Sequence, residues 1–173
     1  VRKIANSNLH GVADGADFVI ISPSEFLAAA NRLKVHRERP GVDFLKTMVA
    51  SVESIFNEFA GGLPAPLGIR DFLKYATTAW PMKPRYVLLL GDGSYDYKDR
   101  LNRRQRDNWI IPYESLNSIH QIETYSSDDH FVFLEPNNPR VSLALGRLPV
   151  NSSAEADSMI AKIINYETTA PFG

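Results

Sequence analysis

The residues best placed to do chemistry are Gly91-Asp92-Gly93, which follow the apolar run Tyr86-Val87-Leu88-Leu89-Leu90 without a break. Such a run reads as a strand buried on both faces, with its carboxyl end opening into a tight loop. In open α/β sheets, ligands bind at that edge. Flanking glycines permit positive φ and close backbone approach, so Asp92 can be presented at a fixed angle to a metal, a substrate or a neighbouring loop. Asp and Gly are also the ordinary turn residues, and the Asp92 carboxylate can instead cap the backbone of its own loop. Phosphate cradling is excluded here. The strand is followed neither by the Gly-Lys-Ser/Thr of a P-loop nor by a G-x-G-x-x-G opening a helix.

The chain of 173 residues holds no cysteine, which rules out disulfides, thiolate metal sites and a cysteine nucleophile within it. Its histidines, His10, His36, His120 and His130, therefore have no thiol to activate, and they read as structural or surface residues. A formal net charge of -1 gives no overall field to draw in nucleic acid or an anionic membrane. Arg100, Arg103, Arg104 and Arg106 form a local basic run. Asp99 and Asp107 flank it and no aromatic residue interleaves, so a solvated loop is expected rather than a nucleic-acid patch. No apolar stretch approaches the roughly 18 residues of a membrane helix. The start also lacks the basic-then-apolar pattern of a signal peptide, leaving a cytosolic protein or a piece of a larger one.

The elements that must position Asp92 follow from periodicity. Residues 1–16 carry no clear period and read as an extension or linker. Asp17 to Ile21 is a first strand, and Ser22-Pro23-Ser24-Glu25 has the capping-box spacing that starts a helix. Phe26, Leu27, Ala30 and Leu33 then fall on one face. Phe44 to Phe59 fits either one helix or a short strand, Lys46 to Ala50, followed by a helix from Val52. Alternation in an α/β domain and the closing Gly61-Gly62 favour the second. A helix from Pro66, ending before Pro81, leads into Tyr86–Leu90. The polar stretch from Gly93 to Ser127 is long enough to be a functional or partner-binding insertion. His130 to Leu134 and a turn at Pro136-Asn137-Asn138-Pro139 suggest a hairpin, Val141 to Leu145 a last strand, and Ser152 to Glu167 a helix with Ala156, Met159, Ile160, Ile163 and Ile164 on its apolar stripe.

Taken in order, Ile55-Phe56-Asn57-Glu58-Phe59, Ile69-Arg70-Asp71-Phe72-Leu73, Tyr86 to Gly93, Ile111-Pro112-Tyr113-Glu114-Ser115, Ser127-Asp128-Asp129-His130-Phe131 and Leu143-Ala144-Leu145-Gly146-Arg147-Leu148-Pro149, with the helix ending Asn165-Tyr166-Glu167, form a recognisable series. This series, from about Asp17 to Glu167, resembles the gingipain-related cysteine peptidase family. That family includes gingipains and the sortase-like peptidases of type IX secretion.

The resemblance implies an α/β fold: a parallel-sheet, three-layer, caspase-like half-domain over residues 17–173 with a small β-hairpin insertion. It implies that the catalytic histidine, in a His-Gly motif, and the nucleophilic cysteine belong to a second subdomain downstream of the Tyr-Glu helix. No catalytic residue is then expected in this chain. His10 does precede Gly11, but in the unpatterned extension. It further implies a calcium site at Asp92, with Asn138 and Ser142 at side-chain positions that are acidic in gingipains and backbone carbonyls near Glu135 and Arg140. Fewer carboxylates weaken a calcium site, so calcium is expected to bind weakly. The function implied is that of a non-catalytic amino-terminal subdomain in a secreted or cell-surface endopeptidase. Its partners would be the downstream catalytic subdomain and a peptide substrate, with no nucleic acid and no membrane segment. The alternative is a stand-alone α/β ligand- or partner-binding module. Such a module should cover its own sheet, whereas a half-domain should leave a sheet edge or an apolar flank exposed.

Overall fold

The structure, a computed structural model, describes residues 7–40, 44–94, 96, 108–115, 125–135 and 140–169. Strand β1 (Phe18–Ser22) is buried along its whole length. It pairs in parallel with β2 (Thr47–Ser51) on one side and β3 (Tyr86–Leu90) on the other. Two two-residue strands, β4 (Tyr113–Glu114) and β5 (Ser126–Ser127), form a separate antiparallel ladder. Strand β6 (Ala144–Leu148) completes the main sheet in parallel beside β3, giving the order β2-β1-β3-β6.

Alternation along β1 and β3 explains the three layers. Val19, Ile21, Val87 and Leu89 point into one core, with Ile55 and Phe56 of α2 (Val52–Phe59) and Ile69, Phe72 and Leu73 of α3 (Pro66–Ala79). Phe18, Ile20 and Leu90 point into the other, with Ala30 and Leu33 of α1 (Leu27–Arg37) and Ala156 and Ile160 of α4 (Ser153–Thr169). Helices thus cover both faces, as an all-parallel sheet requires.

Phe44 to Phe59 divides into strand and helix. The Ser51 side chain caps α2 by accepting the Ser54 N–H at 3.1 Å, and Gly61 and Gly62 close the helix at positive φ, with Gly62 N–H on Phe56 O. Three expectations need correction. The capping box at Ser22 does not form: Ser22 Oγ donates to Pro23 O, a 3-10 turn at Ser24–Phe26 precedes α1, and Ser24 bonds through its N–H and hydroxyl to Glu53 of α2. The segment at His130 is not a strand; Asp129–Val132 forms a 3-10 helix, and the antiparallel ladder lies instead at β4 and β5. The last strand also starts later than Val141. Val141 is exposed, and pairing begins with Ala144 opposite Tyr86 and runs through Gly146 and Arg147, residues of low strand propensity that an edge position tolerates. The proposed turn at 136–139 and the basic run at 100–106 lie outside the described residues.

The irregular segment 7–16 lies on the domain, with Leu9 and Ala16 buried in the α2–α3 core. Glu58 anchors it by accepting from the Ser7 hydroxyl, from the N–H groups of Leu9 and His10, and from His10 Nδ1 at 2.8 Å. Burial alone raises its carboxyl, but these donors together hold it down at about 2, against an ordinary 4.5. A depressed carboxyl contributes stability that is full above about pH 4.5 and is lost as pH falls through the folded value near 2. Hydrogen exchange at the Leu9 and His10 amides should therefore accelerate selectively between pH 4.5 and 2, ahead of the β1 and β3 amides. Glu58→Gln should bring the acceleration to neutral pH; equal exchange in the two proteins at pH 7 contradicts the assignment.

Candidate functional site

The carboxyl edge of the sheet gathers the loops after β3, β6 and the 3-10 helix, and both glycines around Asp92 answer to steric need. A Cβ on Gly91, at φ 154°, would lie 2.9 Å from Trp109 Cβ, and one on Gly93 would lie 2.3 Å from the Ile110 carbonyl. The chain returning at residues 109–112 passes too close for any side chain. Its return is fixed by Asp92 itself, whose carbonyl accepts the N–H groups of Trp109 and Ile110, both at 3.0 Å.

Asp92 is 8% exposed. Its Oδ1 accepts the Gly93 N–H at 2.9 Å and its Oδ2 accepts Asn151 Nδ2 at 3.1 Å, while its N–H donates to Val150 O. The carboxylate thus caps its own loop and ties it to the start of α4. Asn151 N–H in turn donates to Glu155 Oε2, and Ser152 Oγ accepts the Glu155 N–H, so a capping arrangement does form at this helix.

Arg147, near the end of β6, holds the edge together. Its Nε and Nη2 each donate to one oxygen of Asp128 at 2.7 Å, a bidentate pair. Its Nη1 donates to the carbonyls of Gly91 at 2.8 Å and Ile110 at 3.0 Å. The pair is largely shielded, with Arg147 14% and Asp128 24% exposed. Sequence reasoning assigned Arg147 no role. The available signal was a charge inside Leu145-Gly146-Arg147-Leu148, where a strand is otherwise apolar.

The described histidines have packing roles. His130 stacks on Tyr113 with ring centroids 3.5 Å apart, and burial, with the Arg70 charge as a lesser cause, pushes its imidazole below the ordinary value. His36, 1% exposed, places Nε2 2.7 Å from Glu167, which also receives both Arg37 terminal nitrogens, joining the last turns of α1 and α4. His10 stacks on Phe59 at 4.3 Å. His120 lies outside the described residues.

Of the implied calcium ligands, Asn138 lies outside the described residues, and Ser142 is exposed with its N–H on Val132 O. Both oxygens of Asp92 accept donors from the chain. Among the described residues no group of three His, Asp or Glu side chains is placed to hold a metal ion. Calcium takes about six to eight oxygens, and of the implied side-chain donors only Asp92 and Ser142 fall among the described residues.

Comparison with solved structures agrees with the three-layer architecture. The crystal structure of dimeric latent PorU from Porphyromonas gingivalis aligns with a TM-score of 0.75 at 29% identity, over 95% of this chain and 16% of that one. The complex of RgpB pro- and mature domains, also from Porphyromonas gingivalis, shares the fold at TM-score 0.61 and 19% identity, over 86% of this chain and 28% of that one. Comparison with curated protein sequences gives no match. The fold is thus that of the caspase-like gingipain and PorU domains. The profile of peptidase family C25 matches residues 12–173, and the chain belongs to that family.

Two substitutions test the edge. Arg147→Met leaves Asp128 and two carbonyls without their donor, and should cost about 2–4 kcal/mol in urea unfolding. Arg147→Lys should rescue less than half of that loss, because an ammonium cannot reproduce the fork. Asp92→Ala should speed proteolytic cleavage after Gly93 while α1 and α3 stay protected; unchanged digestion would show that the loop is held without the carboxylate.

Proposed function

We propose that this chain is the non-catalytic amino-terminal subdomain of a gingipain-like cysteine endopeptidase, secreted or at the cell surface, and that it supports a downstream catalytic subdomain in peptide-bond hydrolysis. The observation that carries the reading is the open side of the sheet. Among the described residues β6 has no strand on its outer side, and Ala144 and Gly146 there are exposed. Beside it, α4 covers only part of its apolar stripe: Ala156 and Ile160 are buried, Ile163 and Ile164 are half-buried, and Met159 and Tyr166 are 37% and 63% exposed. Leu148, Met159, Ile163 and Tyr166 line a shallow recess of about 570 Å³ between strand and helix. A free strand edge beside an apolar flank is what a half-domain presents to its other half. A stand-alone binding module has no use for it.

In this reading the thiolate that attacks the peptide carbonyl, the histidine that takes the proton and the backbone N–H groups that hold the oxyanion all lie in the second subdomain. This half contributes rigidity, through the locked carboxyl edge and the two cores. Calcium enters only as a weak ligand of Asp92 and Asn138, in the roughly millimolar range of sites poor in carboxylates. A calorimetric titration reaching micromolar affinity overturns that part alone.

The chain by itself should hydrolyse no peptide and should be indifferent to thiol alkylators. In the longer peptidase, Met159→Asp combined with Tyr166→Asp should lower activity at least tenfold, while the same pair should change the melting temperature of this chain alone by only a few degrees. Full activity in the double variant, or peptide hydrolysis by the chain alone that one point substitution removes, overturns the reading.

A further inference from the structure

On the far face of the sheet from that recess, the segment Ser7-Asn8-Leu9-His10-Gly11 lies across α2 and α3, which contact Ser7, Leu9 and His10, while Asn8 and Gly11 shape the segment itself. Ser7 donates its hydroxyl to Glu58. Asn8 Oδ1 accepts the Gly11 N–H at 3.0 Å, closing a tight turn in which a Cβ on residue 11 would lie 2.2 Å from Asn8 Nδ2. Leu9 is 5% exposed and joins the buried cluster of Ile55, Phe56, Ile69 and Phe72. The His10 ring, half exposed, stacks nearly parallel on Phe59 at 4.3 Å and leans at a tilt on Tyr75 at 4.9 Å.

The main chain is read as well. The Glu58 carboxylate accepts the N–H groups of Leu9 at 2.9 Å and His10 at 3.2 Å, and the Tyr75 hydroxyl donates to His10 O at 2.7 Å. Main-chain bonds from two fixed helices, one apolar socket and one aromatic stacking surface are the parts of a peptide-recognition site. The connection from this segment to β1 runs through Ala13 and Asp14, both exposed. Asp14 O accepts the Met82 N–H at 3.0 Å and its carboxylate accepts Lys46 Nζ at 3.1 Å, contacts that a cut between Ala13 and Asp14 leaves on the sheet side.

We propose that the α2–α3 groove is a peptide-binding site, filled in cis by Ser7–Gly11 and able to take a second Ser-Asn-Leu-His-Gly segment in its place. Tethering gives the cis segment an effective concentration on the order of millimolar, so it keeps the groove closed to competitors until it is cut or drawn away. The low carboxyl value of Glu58 accords with a charge built to meet these donors. This inference is independent of the peptidase reading, since the groove, the segment and the hinge all lie within the chain.

The test is a protease site inserted between Ala13 and Asp14 and cut after folding, followed by titration with a fluorescent peptide of residues 7–13. The cut chain should keep its circular dichroism and release the segment on dilution. It should then bind the labelled peptide saturably, whereas the uncut chain should bind it at least about a hundredfold more weakly. A Leu9→Ala peptide should lose about thirtyfold or more, and Glu58→Gln in the protein about tenfold. A cut chain that unfolds shows the segment to be an inseparable part of the core and overturns the proposal. So does a folded cut chain that binds no peptide, or one that binds wild-type and Leu9→Ala peptides alike.

Discussion

Where a buried strand ends, its last carbonyls still need donors. The central strand of this domain ends at Leu90, and the next carbonyl, Gly91 O, is met by Arg147 from the neighbouring strand. The same guanidinium meets Ile110 O and, through its other two nitrogens, Asp128. Three loops that share no secondary structure are thereby held at one point. Beside it Asp92, held by Val150 O and Asn151, takes the N–H groups of the returning chain at Trp109 and Ile110 on its carbonyl. A single cation joins the three loops more economically than three turns, because its fork offers donors in one plane to acceptors on both sides. The arrangement is also brittle, since removing that one group leaves all of its acceptors unanswered together.

The β1 and β3 strands and the helices around them were legible in the sequence because burial on both faces leaves a continuous apolar run that a turn must interrupt. β1, β2 and β3 lie within one residue of their expected bounds, and the helices at Pro66 and Ser152 start where proline and capping chemistry place them. Legibility failed where pairing, rather than local pattern, decides. β6 contains Gly146 and Arg147, which read as a break, and its register is set by β3 across the sheet. Phe131 and Val132 read as strand residues, yet they pack in the α2–α3 core from a 3-10 turn. The Ser22 box gave way because Glu53, far along the chain, offers Ser24 a better acceptor.

At the site the same division holds. Asp92 was visible because glycines bracket it, although those glycines serve the close passage of residues 109–112 rather than a ligand. Arg147 was not visible as a keystone, for its partners stand 19, 37 and 56 residues away and no local spacing joins them. The histidines read as structural or surface groups, and for the described ones the partners Glu58, Tyr113 and Glu167 were beyond reach for the same reason.

The two sides of the domain end differently, and the difference bears on how it is used. On the α2–α3 side Leu9 joins the buried cluster and Glu58 fastens the segment that carries it, with Leu63 and Leu67 left exposed at the start of α3. On the α1–α4 side an apolar stripe is left half covered beside β6, whose outer edge has no partner strand among the described residues. Composition alone would not lead one to expect this asymmetry, because both flanks are built from the same kinds of residue. Exposed apolar stripe costs free energy in proportion to its area, and in the proposed half-domain reading a neighbour on the α1–α4 side removes that cost. His36 and Arg37 hold the last turn of α4 through Glu167 before any neighbour arrives. In the proposed reading this face is ordered in advance, and less of the association energy goes into ordering it.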